Sequence, residues 1–333
     1  MKKILIVAGG TGGHIFPALA VAKELNKNNT IEWLGSKKGM ENKIIPNHNI
    51  TLNNISITGL RGKNKLSILK GVFLLFISFF QTLIIFYKFK PDVIFTTGGF
   101  VSGVAGVVAK LLNKPLVIQE QNAIAGTTNK LLAKLTPFVF QAFDNTLAKA
   151  TTSGNPVLFK PHNKTPHQGL NCLVLGGSLG AKPINEVVNK LNLNINIWHQ
   201  TGKQHFEEIN QNNSYKNRKI SAFIDDMAKA YAWADVVICR AGAMTISELM
   251  LSKTASILIP LPYAIDNHQL ANAKILENNQ AAIILEQKNL TPKKLEEILN
   301  SLNQQKLVTM GNNAYTLAKP NATQDIVNFI NQI

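Results

Sequence analysis

The sequence contains one local pattern twice: an apolar strand, a glycine-rich loop and the start of a helix. The first copy is a strand over residues 3–8, followed by the loop GGTGGH and a predicted helix from Pro17. The second is a strand over residues 172–175, followed by GGSLGA and a predicted helix from Pro183. Such loops aim backbone N–H groups and a helix N-terminus at the space beyond a buried strand, where anions bind. Two copies half a chain apart predict two doubly wound, Rossmann-like α/β domains that face one cleft and handle a nucleotide-bearing substrate.

The composition fits two domains and is strongly basic. The chain has 333 residues, and 45% of them are apolar, which is enough for two ordinary cores. It carries 35 Lys and Arg against 19 Asp and Glu, a formal net charge of +16. This charge favours an anionic partner, either an acidic lipid or a phosphorylated substrate, but a compositional habit of an Asn-, Ile- and Lys-rich chain explains it equally well. Nucleic acid is disfavoured as a partner because the lysines are scattered and no aromatic-basic platform accompanies them.

Strand and helix patterns alternate along the chain, which predicts parallel sheets and the α/β class. Glycine, prolines, Asn and His cluster within residues 153–168, so we place a first domain at 1–157 and a second at 158–333. Residues 314–333 are predicted to form one helix, with the alternative that it packs back on the first domain. The predicted strands are 3–8, 31–34, 93–96, 116–118 and 138–141, then 172–175, 195–198, 219–222, 236–239, 256–259 and 282–284.

The two cysteines, Cys172 and Cys239, both lie in apolar runs that are typical of buried strands. Their spacing indicates neither a metal site nor a disulfide framework, which predicts a reduced, cytoplasmic setting. The sequence enters a strand directly after its first residues, so we expect no signal peptide. No cofactor and no metal are expected.

Residues 71–87 (GVFLLFISFFQTLIIFY) form an uncharged segment with lysines on both sides. At 17 residues it is at the lower limit for a membrane span, and a span would split the strands of one sheet. A buried core helix and a helix lying in a bilayer surface remain as alternatives. We favour docking on an anionic membrane, because apolar insertion and the flanking positive charge would act together. The predicted membrane contacts are Phe73, Leu74, Phe76, Ile77 and Phe80.

The first glycine loop matches neither common phosphate-binding fingerprint. A G-x-G-x-x-G pattern beginning at Gly10 would need glycine where Ile15 stands, and no G-K-[ST] follows for a P-loop. A generic strand-to-helix turn would explain the glycines alone. His14 adds chemistry, because an imidazole at the mouth of a helix that faces a cleft can accept a proton.

A third candidate site spans residues 236–248, where a strand, a small-residue loop and a helix predicted to start near Thr245 follow one another. Thr245 and Glu248 have the spacing of a capping box, which would be a sufficient structural reason for both. The functional alternative is that the loop N–H groups hold a diphosphate while the Glu248 carboxylate accepts from both hydroxyls of a ribose. Further along, a polar cluster suits a sugar, whose hydroxyls need donors and acceptors. The cluster comprises Asp266, Asn267, His268, Gln269 and Asn272.

With these residues assembled, the chain resembles the MurG family, the peripheral membrane glycosyltransferases of peptidoglycan synthesis. The matching motifs are spread over nearly the whole length in the family's order, which makes them specific together. They are GGTGGHIFPALAVA (9–22), TTGGFVSG (96–103), QEQNAIAGTTN (119–129), SGNPV (153–157), GGSLGA (176–181), FIDDMAKAYAWADVVICRAGAMTISEL (223–249) and HQLANA (268–273).

The resemblance implies a GT-B fold and an enzyme that moves GlcNAc from UDP-GlcNAc to the 4-hydroxyl of MurNAc in lipid I, forming lipid II. The donor would be held mainly by the second domain. The enzyme would sit peripherally on the cytoplasmic face of the bacterial plasma membrane, where other cell-wall synthesis proteins are further candidate partners. The substrate-binding residues carried over from the family are Thr11, Gly12, Gly13, Asn122, Ser178, Ile224 (for the uracil), Ala243, Met244, Thr245, Ile246, Ser247, Glu248, Gln269 and Asn272.

An α-linked donor and a β-linked product imply a single displacement with inversion, and the leaving UDP can be stabilised by backbone N–H groups without a metal. We predict His14 as the base, with Glu120 as the second candidate and Arg240 as an assisting cation. Three departures from the family pattern stand out: Gln119 replaces the usual His, Leu158 replaces the usual Arg with Lys160 nearby, and the loop before His268 is one residue longer. Alternatives are an epimerase that uses the same donor, or an inactive membrane-bound scaffold.

Overall fold

The computed structural model describes residues 1–58, 65–177, 179–211, 217–262 and 267–333, and only the backbone within 65–70. The chain folds into two compact units. Unit 1 comprises Met1–Leu158 together with Lys319–Ile333, and unit 2 comprises Phe159–Ala318. The change of unit after Leu158 lies inside the predicted junction. The last fifteen residues belong to unit 1, which is the alternative that the sequence left open for its final helix.

Unit 1 is built on a seven-stranded parallel sheet of order β3-β2-β1-β4-β5-β6-β7. Its strands are β1 (Lys3–Val7), β2 (Thr30–Ser36), β3 (Thr51–Ile55), β4 (Val93–Thr96), β5 (Leu116–Glu120), β6 (Val139–Gln141) and β7 (Thr151–Thr152). Its helices are α1 (Gly12–Leu25), α2 (Glu41–Ile44), α3 (Lys65–Phe89), α4 (Phe100–Leu111), α5 (Thr127–Leu132) and, from the end of the chain, α13 (Ala322–Gln332).

Both faces of the unit 1 sheet are covered, which is why its inner strands are continuous apolar runs. Side chains alternate across the sheet, so Ile4 and Ile6 of β1 face a core that includes α1 and α13. Leu5 and Val7 face the opposite core, against α3 and α4. Two strands of the sheet were not predicted: β3, which contains Asn53 and Asn54, and β7, which has two residues.

Unit 2 repeats the architecture with a six-stranded parallel sheet of order β10-β9-β8-β11-β12-β13. Its strands are β8 (Asn171–Leu175), β9 (Asn196–Gln200), β10 (Arg218–Ser221), β11 (Val236–Cys239), β12 (Ala255–Leu258) and β13 (Ala282–Ile284). Its helices are α6 (Lys182–Asn189), α7 (Phe206–Gln211), α8 (Met227–Trp233), α9 (Ala243–Leu251), α10 (His268–Asn278), α11 (Pro292–Asn300) and α12 (Gln304–Thr316). Each of its six predicted strands is present within one or two residues.

Two helix predictions were wrong in their bounds. The helix after the first glycine loop begins at Gly12 and not at Pro17, which lies inside α1. Residues 314–333 form no single helix, because α12 ends at Thr316 and α13 starts at Ala322. Pro320 lies in the break, where it lacks an N–H for a helical hydrogen bond and disfavours helical backbone in the residue before it.

Helix α3 contains the apolar segment and has two unlike faces. Its buried face includes the small or polar residues Gly71, Ser78 and Thr82, and both hydroxyls donate to carbonyls of their own helix. Its exposed face carries the large apolar side chains Val72, Phe73, Phe76, Phe80, Ile84 and Tyr87, called the α3 stripe below. Within the described residues, α3 is long and apolar enough over Gly71–Phe89 to cross a membrane, judged by length and composition alone.

Both cysteines are buried and carry free thiols, as the sequence predicted. Burial raises the pKa of the Cys172 thiol to about 12 and also raises that of Cys239. A thiol with a raised pKa is a poor nucleophile and a poor metal ligand. The two cysteines are therefore packing residues of unit 2.

Candidate active site

The candidate residues of unit 1 meet where the order of its sheet reverses. Strands β1 and β4 are neighbours, yet the connections that follow them run in opposite directions along the sheet. In open α/β sheets the crevice at this point, beyond the carboxyl ends of the strands, is the usual ligand site. The GGTGGH loop follows β1, and the segment Thr97–Gly99 follows β4 at the same edge.

His14 lies in the first turn of α1, at this crevice. Its Nδ1 is 2.9 Å from the carbonyl oxygen of Thr97 and 3.1 Å from Oε1 of Gln121, and the Thr97 hydroxyl donates to the His14 carbonyl. The ring also lies against Gly99, where a Cβ would come within 3.5 Å of the imidazole and 3.1 Å of the Gly9 carbonyl. Since Gly99 has φ of +88°, both its conformation and this close approach require glycine.

Thr11, Gly12 and Gly13 surround the N-terminus of α1. Thr11 is the N-cap residue and is exposed, and its side chain makes no capping hydrogen bond. Gly12 and Gly13 are the first two helical residues, so their N–H groups belong to the turn that has no partner within the helix. The three residues therefore keep the placement that the sequence predicted for a binding loop.

Glu41, which the sequence analysis missed, shapes this loop from behind. Its fully buried carboxylate accepts hydrogen bonds from the Gly10 N–H, the Ser36 N–H and the Ser36 hydroxyl. A Cβ on Gly9 would lie 2.7 Å from Oε1 of Glu41, so glycine is needed there to admit the carboxylate. In the sequence, Glu41 is an acidic residue at the start of a short helix that follows β2. This pattern is too common to predict a functional role.

Glu120, the second candidate base, is hydrogen-bonded to the turn that follows β5. It is buried at the end of β5, where Oε1 accepts from the backbone and side-chain N–H groups of Asn122. Oε2 accepts from the Gly126 N–H and the Asn129 side chain. Four donors thus hold both oxygens of the Glu120 carboxylate within unit 1, and its role as a base stays a prediction. Asn122 is engaged in the same turn.

In unit 2 the second glycine loop lies at the corresponding reversal, between β8 and β11. Gly180 has φ of +81°, and the loop contacts Gly202, where a Cβ would lie 2.5 Å from the Gly180 nitrogen. Helix α6 starts immediately afterwards, after its N-cap Ala181. Ser178, the predicted contact of this loop, lies outside the described residues.

The loop after β11 leads into α9, which starts at Ala243 with Gly242 as its N-cap. Thr245 is therefore the third helical residue and not a cap, so the predicted capping box is wrong. The first helical hydrogen bond runs from the Ile246 N–H to the Gly242 carbonyl, and the N–H groups of Met244 and Thr245 precede it. The helix N-terminus thus points donors into the space beyond β11, as the diphosphate hypothesis requires.

The side chains at the start of α9 differ in what they can contact. Ile246 is fully buried, Ala243 and Ser247 are buried, and the Ser247 hydroxyl donates to the Ala243 carbonyl of its own helix. Met244 and Thr245 are half-buried. The buried residues could therefore contact a ligand only through their backbone N–H and carbonyl groups.

Glu248 is the ionisable group of this site, and Tyr231 is its partner. The Tyr231 hydroxyl, on α8, donates to Oε2 of Glu248 at 2.9 Å. Burial raises the pKa of Glu248 to about 7, and the hydrogen bond from Tyr231 opposes that rise. Burial and the nearby Glu248 carboxylate raise the pKa of Tyr231 well above its ordinary value, so it stays a donor. The sequence analysis missed Tyr231 because the contact joins two helices.

Arg240 forms hydrogen bonds within unit 2. Its guanidinium donates to the carbonyl oxygens of Ile259 and Pro260 and to Oε1 of Gln287. All three acceptors are neutral, so no carboxylate pairs with the guanidinium in these bonds. Burial lowers the pKa of Arg240 from its ordinary value.

Three further residues predicted to contact the substrate, Ile224, Asn272 and Gln269, form hydrogen bonds with neighbouring residues. The Ile224 side chain is buried, and its N–H donates to Oε1 of Gln200 at 3.2 Å. Asn272 is fully buried and donates to the Ala241 carbonyl, so it supports the loop before α9. Gln269 is half-buried at the start of α10 and accepts from the Leu261 N–H. Asp266 lies outside the described residues.

Comparison with known proteins identifies the family. The glycosyltransferase family 28 N-terminal domain matches residues 4–141, and the family 28 C-terminal domain matches residues 171–328. This chain belongs to glycosyltransferase family 28. The two family 28 domains coincide with the two sheets, and the fold is GT-B, as the sequence predicted.

Family 28 relatives match along the whole chain. A relative from Vesicomyosocius okutanii is 58% identical over 99% of this chain and 97% of its own length. A relative from Cellvibrio japonicus is 46% identical over 98% and 96%. Both are named UDP-N-acetylglucosamine–N-acetylmuramyl-(pentapeptide) pyrophosphoryl-undecaprenol N-acetylglucosamine transferase. The crystal structure of Acinetobacter baumannii MurG is 38% identical, covers 100% of both chains and superposes with a TM-score of 0.86.

Proposed function

We propose that this family 28 enzyme transfers GlcNAc from UDP-GlcNAc to the 4-hydroxyl of MurNAc in lipid I, which yields lipid II. The full-length identity with relatives named for this transfer carries the proposal. The chemistry that the reaction needs is a donor site for a nucleotide diphosphate sugar, a proton acceptor and a stabilised leaving group. Each has a candidate at the end of a strand in unit 1 or unit 2.

Unit 2 supplies the donor site in this proposal. The Glu248 carboxylate accepts from the two ribose hydroxyls, and the N–H groups at the start of α9 and in the second glycine loop hold the diphosphate. The uracil contacts the backbone at Ile224, and Gln269 contacts the GlcNAc. Helix α9 has nine residues, so its N-terminus carries a partial positive charge that stabilises the UDP leaving group as negative charge develops.

Unit 1 supplies the base. The neutral imidazole of His14 has one donor and one acceptor nitrogen, and the carbonyl oxygen at 2.9 Å from Nδ1 favours the proton there. Nε2 is then the acceptor for the MurNAc hydroxyl proton as the oxygen attacks the anomeric carbon. This is a single displacement with inversion, and a base in this position contributes about 10²–10⁴-fold to the rate.

The α3 stripe is the proposed membrane contact. Phe73, Phe76 and Phe80 are about half exposed or more, while the opposite face of the helix packs into unit 1. An exposed aromatic face on a protein with a net charge of +16 fits an anionic bilayer surface, where apolar insertion and charge attraction add. The enzyme would then work peripherally on the cytoplasmic face of the plasma membrane, on an acceptor whose lipid stays in the bilayer.

The test is transfer of radiolabelled GlcNAc from UDP-GlcNAc to a short-chain lipid I analogue, with and without EDTA. Lipid-linked product supports the transferase, and product in EDTA supports stabilisation of the leaving group by the protein alone. His14→Ala should lower kcat by at least tenfold with an unchanged donor KM, whereas His48→Ala, in the same unit, should leave both unchanged. UDP-GlcNAc binding without transfer would contradict the proposal and favour the epimerase or scaffold alternative.

A further inference from the structure

Three buried amide side chains connect His14 to the strand end that precedes the junction of the units. Gln119 and Gln121 flank Glu120 at the end of β5, and Asn155 follows β7. All three are nearly inaccessible to solvent. Residue 119 is the position where the resembling family usually has His. We call Gln119, Gln121 and Asn155 the amide chain.

The orientation of the Gln119 amide is fixed by its acceptors. Its Nε2 donates to Oδ1 of Asn155 at 2.8 Å and to the Glu120 carbonyl at 3.1 Å. The reversed orientation would place the amide oxygen against these oxygens. The Oε1 of Gln119 therefore points the other way, and it accepts from Nε2 of Gln121 at 2.6 Å.

The orientation of the Gln121 amide follows from that of Gln119. Its Nε2 donates to Oε1 and to the backbone carbonyl of Gln119, at 2.6 and 2.7 Å. Both of its N–H groups are thereby directed at acceptors, which leaves Oε1 for Nδ1 of His14 at 3.1 Å. The Gln121 oxygen thus presents a second acceptor, beside the Thr97 carbonyl, to the same imidazole nitrogen.

We propose that Gln121, with Gln119 behind it, is a positioning residue that fixes the Nδ1–H tautomer of His14 and leaves Nε2 as the proton acceptor. The inference rests on the proposed function for its catalytic meaning, but the tautomer is a property of the protein alone. A directed row of hydrogen bonds in a buried site holds one arrangement of protons because each reversal leaves oxygens facing each other. An imidazole at position 119 could take either tautomer. The Gln119 amide is neutral and always has one donor end and one acceptor end.

The His14 ring forms hydrogen bonds with uncharged groups. The hydrogen bonds of the ring within the described residues go to a backbone carbonyl and an amide oxygen. Two carboxylates on the packed elements bond elsewhere: Glu41 binds the loop at Gly10 and Ser36, and Glu120 binds the turn at Asn122 and Gly126. The tautomer of His14 is therefore set by the amide chain and the Thr97 carbonyl.

The decisive measurement is the ¹⁵N NMR spectrum of histidine-labelled full-length protein, with His14 assigned from its absence in His14→Gln. In the wild-type protein above neutral pH, Nδ1 of His14 should carry the proton and Nε2 should show the shift of a bare nitrogen. Gln121→Met should produce a mixture of tautomers and lower kcat by about tenfold or more, with donor KM unchanged. Gln119→Leu should act in the same direction but less, because Gln121 then retains its backbone acceptor.

Gln141→Met is the matched control, since Gln141 is a buried glutamine at the end of neighbouring β6 that bonds Thr152 and Leu147. It should change neither the His14 tautomer nor kcat. A wild-type Nε2–H tautomer overturns the inference, and so does a Gln121→Met protein with wild-type tautomer and kcat. If the wild-type protein shows the Nδ1–H tautomer but transfers no GlcNAc, the proposed function has failed and the positioning inference stands.

Discussion

Glu248 combines a half-buried side chain with a charge that the proposed donor site needs. A buried carboxylate prefers its protonated form, and here burial raises its pKa to about 7. A proton on Glu248 removes acceptor capacity that the two ribose hydroxyls would use. The free energy of donor binding should therefore depend on pH near neutrality.

The first prediction concerns Glu248→Gln, which keeps the shape of the side chain and removes its charge. Donor KM should rise at least tenfold at pH 8, where the wild-type carboxylate is mostly ionised, and the difference should shrink toward pH 6. The wild-type donor KM should itself fall as pH rises through about 7. Steady-state kinetics across this range provide the measurement, and equal KM values at pH 8 would remove Glu248 from the ribose site.

The same substitution, Glu248→Gln, should weaken donor binding but increase the stability of the folded protein at high pH. Since the pKa of Glu248 is higher in the folded protein than its ordinary 4.5, the folded state binds the proton more tightly. The carboxyl group therefore lowers the free energy of unfolding progressively as pH rises from about 4.5 to 7. Glu248→Gln should have a Tm closer to wild type at pH 5 and a clear advantage at pH 8, as scanning calorimetry would show.

Tyr231→Phe tests the partner of Glu248. The change keeps the ring, which stacks on Phe159, and removes the hydroxyl that donates to the carboxylate. Because that hydrogen bond favours the ionised form, its loss should raise the pKa of Glu248 further and raise donor KM several-fold at pH 7. The defect should diminish at pH 9, where Glu248 ionises without help. A defect of the same size at both pH values would indicate misfolding of α8 instead.

At the scale of elements, α3 is apolar on both faces, because Phe86 and Phe89 lie in the core of unit 1 while the α3 stripe is exposed. Its inward side includes Gly71, Ser78 and Thr82, which allow close packing, while its outward side is aromatic. The α3 stripe from Val72 to Tyr87 is about 22 Å long at 1.5 Å per residue. An apolar strip of this length is a candidate binding surface.

A variant of α3 with unchanged charge and a less apolar stripe should lose membrane binding. Phe76→Ser combined with Phe80→Ser should weaken sedimentation with vesicles containing phosphatidylglycerol by at least tenfold, since each phenyl ring loses its apolar insertion. Val308→Ser on α12 is the matched control, because Val308 and Phe80 are each 48% exposed. Equal loss in the control, or none in the double variant, would contradict docking through α3.

At the scale of the whole molecule, the chain returns to unit 1 at its end. Helix α13 packs against α1 and places Ile326, Val327 and Ile330 in the same core as β1. The Lys2 ammonium also donates to the carbonyls of Ile330 and Asn331. The first and last segments of the chain are therefore parts of one folding unit.

Ile326→Ala should accordingly destabilise unit 1 by about 2–5 kcal/mol, the usual range for truncating a buried isoleucine to alanine. Asn328→Ala, exposed on the same helix, should cost less than about 0.5 kcal/mol. Urea unfolding followed by circular dichroism, together with UDP binding as a probe of unit 2, would locate the effect. Loss of UDP binding at the same urea concentration would show that both units unfold together.

The sequence by itself determined the two parallel sheets, most of their strands and the two glycine loops, because these features are local: apolar runs of strand length and glycines where the chain turns. It also placed His14 and Glu248, since each lies a few residues after a recognisable strand. Spacing alone could not show that four donors surround the oxygens of Glu120, because these contacts form only in the folded turn.

Only the tertiary structure decided the partners of these groups. Gln121 reaches His14 from β5, Tyr231 reaches Glu248 from another helix, and α13 joins α1 across nearly the whole sequence. Such contacts depend on the order of strands in the sheets and on the packing of helices over them, and neither leaves a periodic signal in the chain. The sequence thus specifies where the candidate groups lie along the chain, and the fold provides their burial and the hydrogen bonds that distant residues form with them.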